Sequence, residues 1–298
     1  MTPELRALAS RALEGVSEGM FSWTCLKEHP KSATVWRAES PAGALVLKQH
    51  RHPRPFAQEL RAYRDWLPRL DLTRTPDSPA TSDLLHAPAR VPRLLAFDAA
   101  ARALALAVAP GERLSLGPSE LVLSAHAAAG RFTRALHSLP IADDDPLPLS
   151  DAVSARLDEW HARAAGLLSP PERGALQRLA GRRDAFAGVR RVPCHRDFTP
   201  DNWLLAGQNL HVLDFEHARL DAPEADLVKL RADVWPADPA LEHAFLAGHG
   251  PLTSDAAARL DVLLALHAVA TLAWAERHAD PDFRALGRRA LAVALASA

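Results

Sequence analysis

The chain has 298 residues, enough for one large or two ordinary domains, and its 48% hydrophobic and 24% charged content is that of a globular protein with a sizeable core. Lys plus Arg is 35 and Asp plus Glu is 36, a net charge of -1 that argues against a nucleic-acid partner. Cys25 and Cys194 are the only cysteines, which excludes a disulfide scaffold and a Cys-rich zinc module.

In chain order, residues 4–14 have helical spacing, with Leu5, Leu8, Ala9 and Leu13 on one side. Phe21–Lys27, Ala33–Glu39 and Ala44–Gln49 read as strands, the last two separated by the turn signal Pro41-Ala42-Gly43. Pro53 and Pro55 open a helix to about Trp66, striped by Phe56, Leu60, Tyr63 and Leu67. Residues 71–90 form a long polar loop, and Val91–Phe97 and Ala103–Ala109 a strand pair. After Pro110-Gly111 the pattern turns helical over 118–138, 150–167, 171–187, 254–277 and 282–296. A short β interlude, Trp203–Leu205 and Leu210–Leu213, interrupts it. Two lobes are therefore expected, 1–109 and 110–298, with a cleft between them. Glu4 and Arg6 deny the N-terminus the apolar core of a secretory signal, so a cytoplasmic location is expected. The longest apolar stretch, Leu263–Ala275, is broken by His267 and Thr271 and falls short of the roughly 20 residues a bilayer span needs, so no membrane is expected.

The chemistry concentrates in Cys194-His195-Arg196-Asp197-Phe198-Thr199-Pro200-Asp201-Asn202 and Val212-Leu213-Asp214-Phe215-Glu216. Trp203–Leu205 runs out, Gly207–Asn209 turns, and His211–Leu213 returns. Such a hairpin sets Asn202 and Asp214 side by side, and two converging oxygen ligands suit Mg²⁺. Asp197 lies one loop away, within reach of a bound hydroxyl.

These motifs match the catalytic-loop pattern H-R-D-x-x-x-x-N and, with Glu for Gly, the D-F-G element of kinases. From about residue 20 to 290 the chain resembles the aminoglycoside phosphotransferase family, which shares the protein-kinase fold and includes choline-kinase-like enzymes. Leu47-Lys48 with Glu59, the break at Pro110-Gly111-Glu112 and Leu136-His137-Ser138 add to the likeness. The resemblance implies a two-lobed α+β fold, with a small β-rich nucleotide-binding lobe and a larger helical lobe for catalysis, metal and acceptor. It makes Asp197 the catalytic base or hydroxyl-orienting residue, His195 a brace of the catalytic loop, and Asn202 and Asp214 the Mg²⁺ ligands. Asp226 becomes the carboxylate supporting that loop. Lys48 would lie under the nucleotide phosphates and pair with Glu59, while the base would meet backbone near Ala107, Val108 and Ala109.

Two departures narrow the reading. The turn Glu28–Ala33, which would cover the phosphates, has no glycine; Ser32, with the N–H groups of Ser32 and Ala33 and the charge of Lys31, takes that role, and the choice of ATP or GTP stays open. Thr199 stands where serine/threonine kinases carry Lys, and no Ala-Pro-Glu element follows Glu216. A small-molecule hydroxyl acceptor is therefore expected rather than a protein. An antibiotic is the first class of acceptor; the alternatives are a choline- or homoserine-kinase-like metabolite kinase and a non-catalytic nucleotide-binding module. Residues 199–240 hold eight acids against three bases, so a positively charged acceptor is expected. His50-Arg51-His52 lacks a third metal ligand, Asp143–Asp145 reads as a solvated loop, and among Trp160, Trp235 and Trp274 one is expected to wall the acceptor pocket.

Overall fold

The computed structural model describes residues 2–29, 32–70, 89–114 and 120–296. Pro30, Lys31, residues 71–88 of the expected loop and the start of the 118–138 helix lie outside them. Helix α1 (Pro3–Ala12) precedes β1 (Ser22–Glu28), β2 (Ala33–Ser40) and β3 (Gly43–His50), which form an antiparallel meander. Strands β5 (Leu94–Asp98) and β6 (Ala103–Ala107) complete the sheet in the order β1-β2-β3-β6-β5. Period-two alternation divides β3 between two tasks. Leu45 and Leu47 pack with Ala103 and Ala105 against Leu5, Leu8 and Ala9 of α1. Val46 and Lys48 point the other way, into the cleft between the lobes.

Helix α2 (Pro53–Arg61) is followed by a widened π turn over Ala62–Trp66, not by the uninterrupted helix expected. Phe56, Tyr63 and Trp66 join Leu104 and Leu106 in a core continuous with that of the second lobe. The short strand β4 (Ala89–Arg90) also crosses over, pairing in parallel with β10 (Asn209–Val212). The lobes thus share packing across the expected 109/110 division. Gly111 sits where the chain passes the second lobe, at φ +104, and a Cβ there would lie 2.5 Å from the Leu205 carbonyl oxygen. Only glycine combines that conformation with that approach.

The second lobe comprises α3 (Glu120–His137), α4 (Leu149–Ala164), α5 (Pro170–Ala180), α6 (Pro239–His249), α7 (Ser254–His278) and α8 (Pro281–Leu295). The sequence reading missed α6, although Asp238 caps it, accepting from the Ala240 N–H at 3.0 Å, and Pro239 occupies its first turn. Helix α7 is long and apolar enough to cross a membrane, but 61% of its apolar window is buried here as core.

Helices α3 and α6 cross through reciprocal glycines. A Cβ on Gly130 would lie 2.1 Å from the Phe245 carbonyl oxygen, and one on Gly248 would lie 2.0 Å from that of Ala127. Both obstacles are backbone, so neither can move aside alone. Gly248→Ala is expected to destabilise the fold by about 1–3 kcal/mol through overpacking. A urea midpoint equal to the parent's would show that the helices separate at no cost.

Candidate active site

Strand β8 (Val192–Cys194) pairs antiparallel with β11 (Arg219–Asp221) and delivers the chain to His195. The next two peptides hang on Asp226, which is fully buried: the His195 N–H donates to it at 3.0 Å and the Arg196 N–H at 2.6 Å. His137, the last residue of α3, reaches the same carboxylate at 3.0 Å. Burial works to raise the Asp226 pKa, but His137, His195 and the backbone donors outweigh it and hold the group below the ordinary carboxylate range. His195 accepts the Asp197 N–H at Nδ1, 3.2 Å away, which leaves Nε2–H to donate to the Leu213 carbonyl at 2.8 Å. His195 is fully buried, with its ring packed against Phe215.

Asp197 is met by two partners. Asn202 donates its side-chain amide to the Asp197 carbonyl at 2.8 Å and to its carboxylate at 3.1 Å. The Lys229 ammonium is ion-paired with the other carboxylate oxygen. Burial alone would raise the Asp197 pKa; Lys229, aided by His195 and His217, lowers it instead. Lys229 was not foreseen as a site residue, although it stands three residues after Asp226, the spacing that returns one helical turn later to the same face.

The expected hairpin is present. β9 (Trp203–Ala206) pairs antiparallel with β10, and the Leu213 N–H donates to the Asn202 carbonyl at 2.9 Å. Asp214 follows in the left-handed region at φ 66 and turns its carboxylate towards the first lobe. There it meets Lys48 at 2.6 Å, while Glu59 lies 2.8 Å and Glu216 3.1 Å from the same ammonium. Glu59 also binds His50 at 2.7 Å and accepts the Phe215 N–H at 3.2 Å. Burial would lower the Lys48 pKa, but Glu59, Asp214 and Glu216 together push it well above its ordinary value. The same contacts keep Glu59 and Asp214 ionised against the burial that would protonate them. The ligand atoms of His50, Glu59 and Glu216 lie within 4.8 Å of one another, but the cation among them is Lys48. His52 is exposed and takes no part.

Lys48, Glu59, Ser32, Ala107, Ala109, Asn202 and Asp214 line one cleft of about 400 Å³, so the sequence-expected nucleotide and metal residues converge. The Ala107 N–H is committed to the Arg93 carbonyl at 2.8 Å and is not free for a base.

A second cavity, about 360 Å³, opens beside the catalytic loop, lined by Lys229, Arg196, Trp160 and His267 among others. Of the three tryptophans singled out, Trp160 is thus the one that walls a pocket; Trp235 is buried and Trp274 stacks on His278. The acids of 199–240 do not face this space. Asp214 and Glu216 hold Lys48, and Asp226 holds the loop. Asp221 is buried among Arg156, Arg196 and Arg219, Glu224 pairs with Arg259 at 2.7 Å, and Asp238 caps α6. Six of the eight acids are therefore committed to partners inside the fold, while Asp201 lines the nucleotide cleft and Asp233 is exposed. Asp143 is likewise engaged, accepting the Arg191 N–H at 3.1 Å.

This is the protein-kinase-like fold of the aminoglycoside phosphotransferases, an antiparallel N-terminal sheet followed by a mostly helical region. Residues 28–263 match the phosphotransferase enzyme family, and the chain belongs to it. No curated protein matches the sequence. Among solved structures it is similar to macrolide 2'-phosphotransferase MphH from Brachybacterium faecium, at 18% identity over 97% of this chain and 98% of that one, with a TM-score of 0.63. The GDP complex of aminoglycoside 2'-phosphotransferase-IIIa aligns at 14% identity over 98% and 97%, with a TM-score of 0.69. A choline/ethanolamine kinase family protein from Mesorhizobium loti aligns at 20% identity over 97% and 92%, with a TM-score of 0.66.

Proposed function

We propose that the chain transfers the γ-phosphoryl group of ATP or GTP to a hydroxyl of a small molecule. The observation that carries this is the single hairpin that holds Asp197 and Asn202 at one end while setting Asp214 against the Lys48–Glu59 pair. Phosphoryl transfer asks chiefly for positioning and charge neutralisation, and these groups supply both. Lys48 would contact the phosphates, held in place by Glu59, and the backbone of Val108 and Ala109 would meet the base. Ser32 lines the same cleft, at the turn that would cover the phosphates. Asp197 receives the acceptor hydroxyl. The acceptor oxygen forms a bond to the γ-phosphorus as the bond to the β,γ-bridging oxygen breaks, the diphosphate leaves with that electron pair, and the proton passes to Asp197. Because Lys229 lowers the Asp197 pKa, the carboxylate orients the hydroxyl first and takes its proton late.

Mg²⁺ fits this site. Three carboxylates surround one ammonium where polyanionic phosphates must lie, an excess of negative charge that calls for a further cation. Asn202 spends its amide nitrogen on Asp197, which leaves its oxygen for a metal, and Asp214 stays ionised. When bound, Mg²⁺ would neutralise phosphate charge. Asp214→Asn is expected to shift the Mg²⁺ dependence of turnover to higher concentration, with partial rescue at high Mg²⁺. Coincident titration curves for variant and parent would remove Asp214 as a ligand.

The direct test of the activity is nucleotide consumption over a panel of acceptors that includes aminoglycosides, macrolides, choline and homoserine. A gain of one phosphate in mass on the product identifies the acceptor. Expression in a sensitive host challenged with the same antibiotics tests resistance by O-phosphorylation. A folded protein that binds nucleotide yet phosphorylates nothing in the panel would favour the non-catalytic module.

A further inference from the structure

Beside the catalytic loop, charge is out of balance. The Asp221 carboxylate is buried, and three guanidiniums converge on it: Arg156 at 3.3 Å, Arg196 at 3.2 Å and Arg219 at 3.3 Å. Among the described residues these arginines have no other carboxylate within ion-pair distance. All three line the 360 Å³ cavity, together with Lys229. The one acid in its wall, Glu159, is already paired with Arg163 at 2.6 Å. An adjoining cavity of about 350 Å³ shares Arg196 and Arg219 and adds Arg54 from the start of α2. Lys229 is paired with Asp197, so three guanidiniums face a space whose nearest buried anion, Asp221, can neutralise one of them.

Two further features accompany this excess of positive charge. The Arg156 Nε and the His267 Nε2 are buried without a hydrogen-bond partner, and both residues line the larger cavity. The crowding also shows in titration: burial, with Arg196 and Arg156 beside it, pushes the Arg219 pKa down to about 10, and burial, with Lys229 and Arg196 nearby, pushes the His267 pKa down to about 4. Trp160, Leu263 and Leu266 give the same cavity an apolar part of its wall.

Resting on the proposed phosphotransfer, we infer that the acceptor is anionic: a hydroxy compound whose carboxylate or phosphate lies against Arg156, Arg196 and Arg219, with its apolar body on Trp160 and its hydroxyl at Asp197. Guanidinium forks match the paired oxygens of such groups, and Lys229 spans the two ends because it lines the cavity and touches Asp197. The chemistry of the transfer is unchanged. A polycationic acceptor would have to oppose three guanidiniums that share one carboxylate, so the sign is the reverse of that expected from the local sequence balance.

The test uses three matched probes, para-(hydroxymethyl)benzoate, para-(hydroxymethyl)benzamide and para-(hydroxymethyl)benzylamine, titrated calorimetrically into the protein with Mg²⁺ and a non-hydrolysable ATP analogue. The benzoate is expected to bind at least about tenfold more tightly than the other two, with the margin shrinking as salt rises. Arg156→Gln should narrow the margin several-fold, through weaker benzoate binding. Should that variant fail to fold, Arg54→Ala, at an exposed position, should narrow the margin several-fold on its own. Equal or tighter binding of the benzylamine or benzamide, or no heat from the benzoate, overturns the inference. A second arm replaces the benzoate by para-(hydroxymethyl)phenyl phosphate and tells which anion the forks prefer; tighter binding of either anion than of the benzamide supports the site. Selective anion binding with no phosphate passed from ATP to the hydroxymethyl group would support the anion site while counting against phosphotransfer, which keeps the two readings apart.

Discussion

Asp197→Ala is expected to lower turnover by about 10²–10⁴-fold, the usual contribution of a positioned acid–base group. Nucleotide affinity should hardly change, because Asp197 does not line the cleft that contains Lys48, Asp214 and the end of β6. The substitution frees the Lys229 ammonium, which is 37% exposed and can turn to water, so the fold should survive. Asn202 keeps the Asp197 main-chain carbonyl as an acceptor at 2.8 Å, so the hairpin end should stay in place. The combination to measure is a turnover number reduced by orders of magnitude beside an unaltered dissociation constant for Mg-nucleotide. Turnover within a few-fold of the parent would remove Asp197 from the mechanism. A parallel loss of nucleotide binding would mean that the residue supports the cleft instead of the chemistry.

What the sequence disclosed and what it hid divide along a physical line. Asn202 and Asp214 could be set together because a two-stranded hairpin has one geometry, fixed by short-range pairing. The place of Lys48 under the phosphates was implied by the family resemblance, and strand alternation is what turns it into the cleft. Asp226, by its resemblance to the family's loop-supporting carboxylate, was found where it was expected. The hidden features are long-range. Glu216 joins Lys48, and Glu59 accepts the Phe215 N–H across 156 residues; both contacts require the lobes to be packed together first. The acid count of residues 199–240 failed as a guide to the charge lining the 360 Å³ cavity for the same reason. Counting acids along residues 199–240 treats neighbours in sequence as neighbours in space, whereas Arg156 and Arg196, both outside that segment, converge with Arg219 on Asp221. A pocket's sign depends on which charges remain unpaired after folding, and composition does not carry that. Helix α6 was overlooked because its alanines, leucines and histidines lack a clear apolar stripe, yet its cap and its first-turn proline were there to be read.

Asp226→Ala is expected to destabilise the protein by about 3–5 kcal/mol, the scale of breaking a buried, charge-assisted network by removing one partner. Three donors lose their acceptor at once: the His195 and Arg196 N–H groups and the His137 ring. None can turn to water without shifting the catalytic loop, so the little activity left should come with a displaced Asp197. Asp226→Asn is a gentler case. It keeps one oxygen acceptor but sets an amide N–H₂ where a donor already points, and should lie between alanine and the parent. The pH dependence gives a second handle. The Asp226 pKa is lowered in the folded state, so its stabilisation is complete above the ordinary carboxylate value of about 3.9 and is lost as pH falls through the lowered folded value. The gap between parent and Asp226→Ala urea midpoints should therefore be widest near neutral pH and narrow steadily in acid below about pH 4. A gap that stays constant over that range would show that the carboxylate is not held charged by these donors. Equal midpoints at neutral pH would show that the loop is held by something other than Asp226.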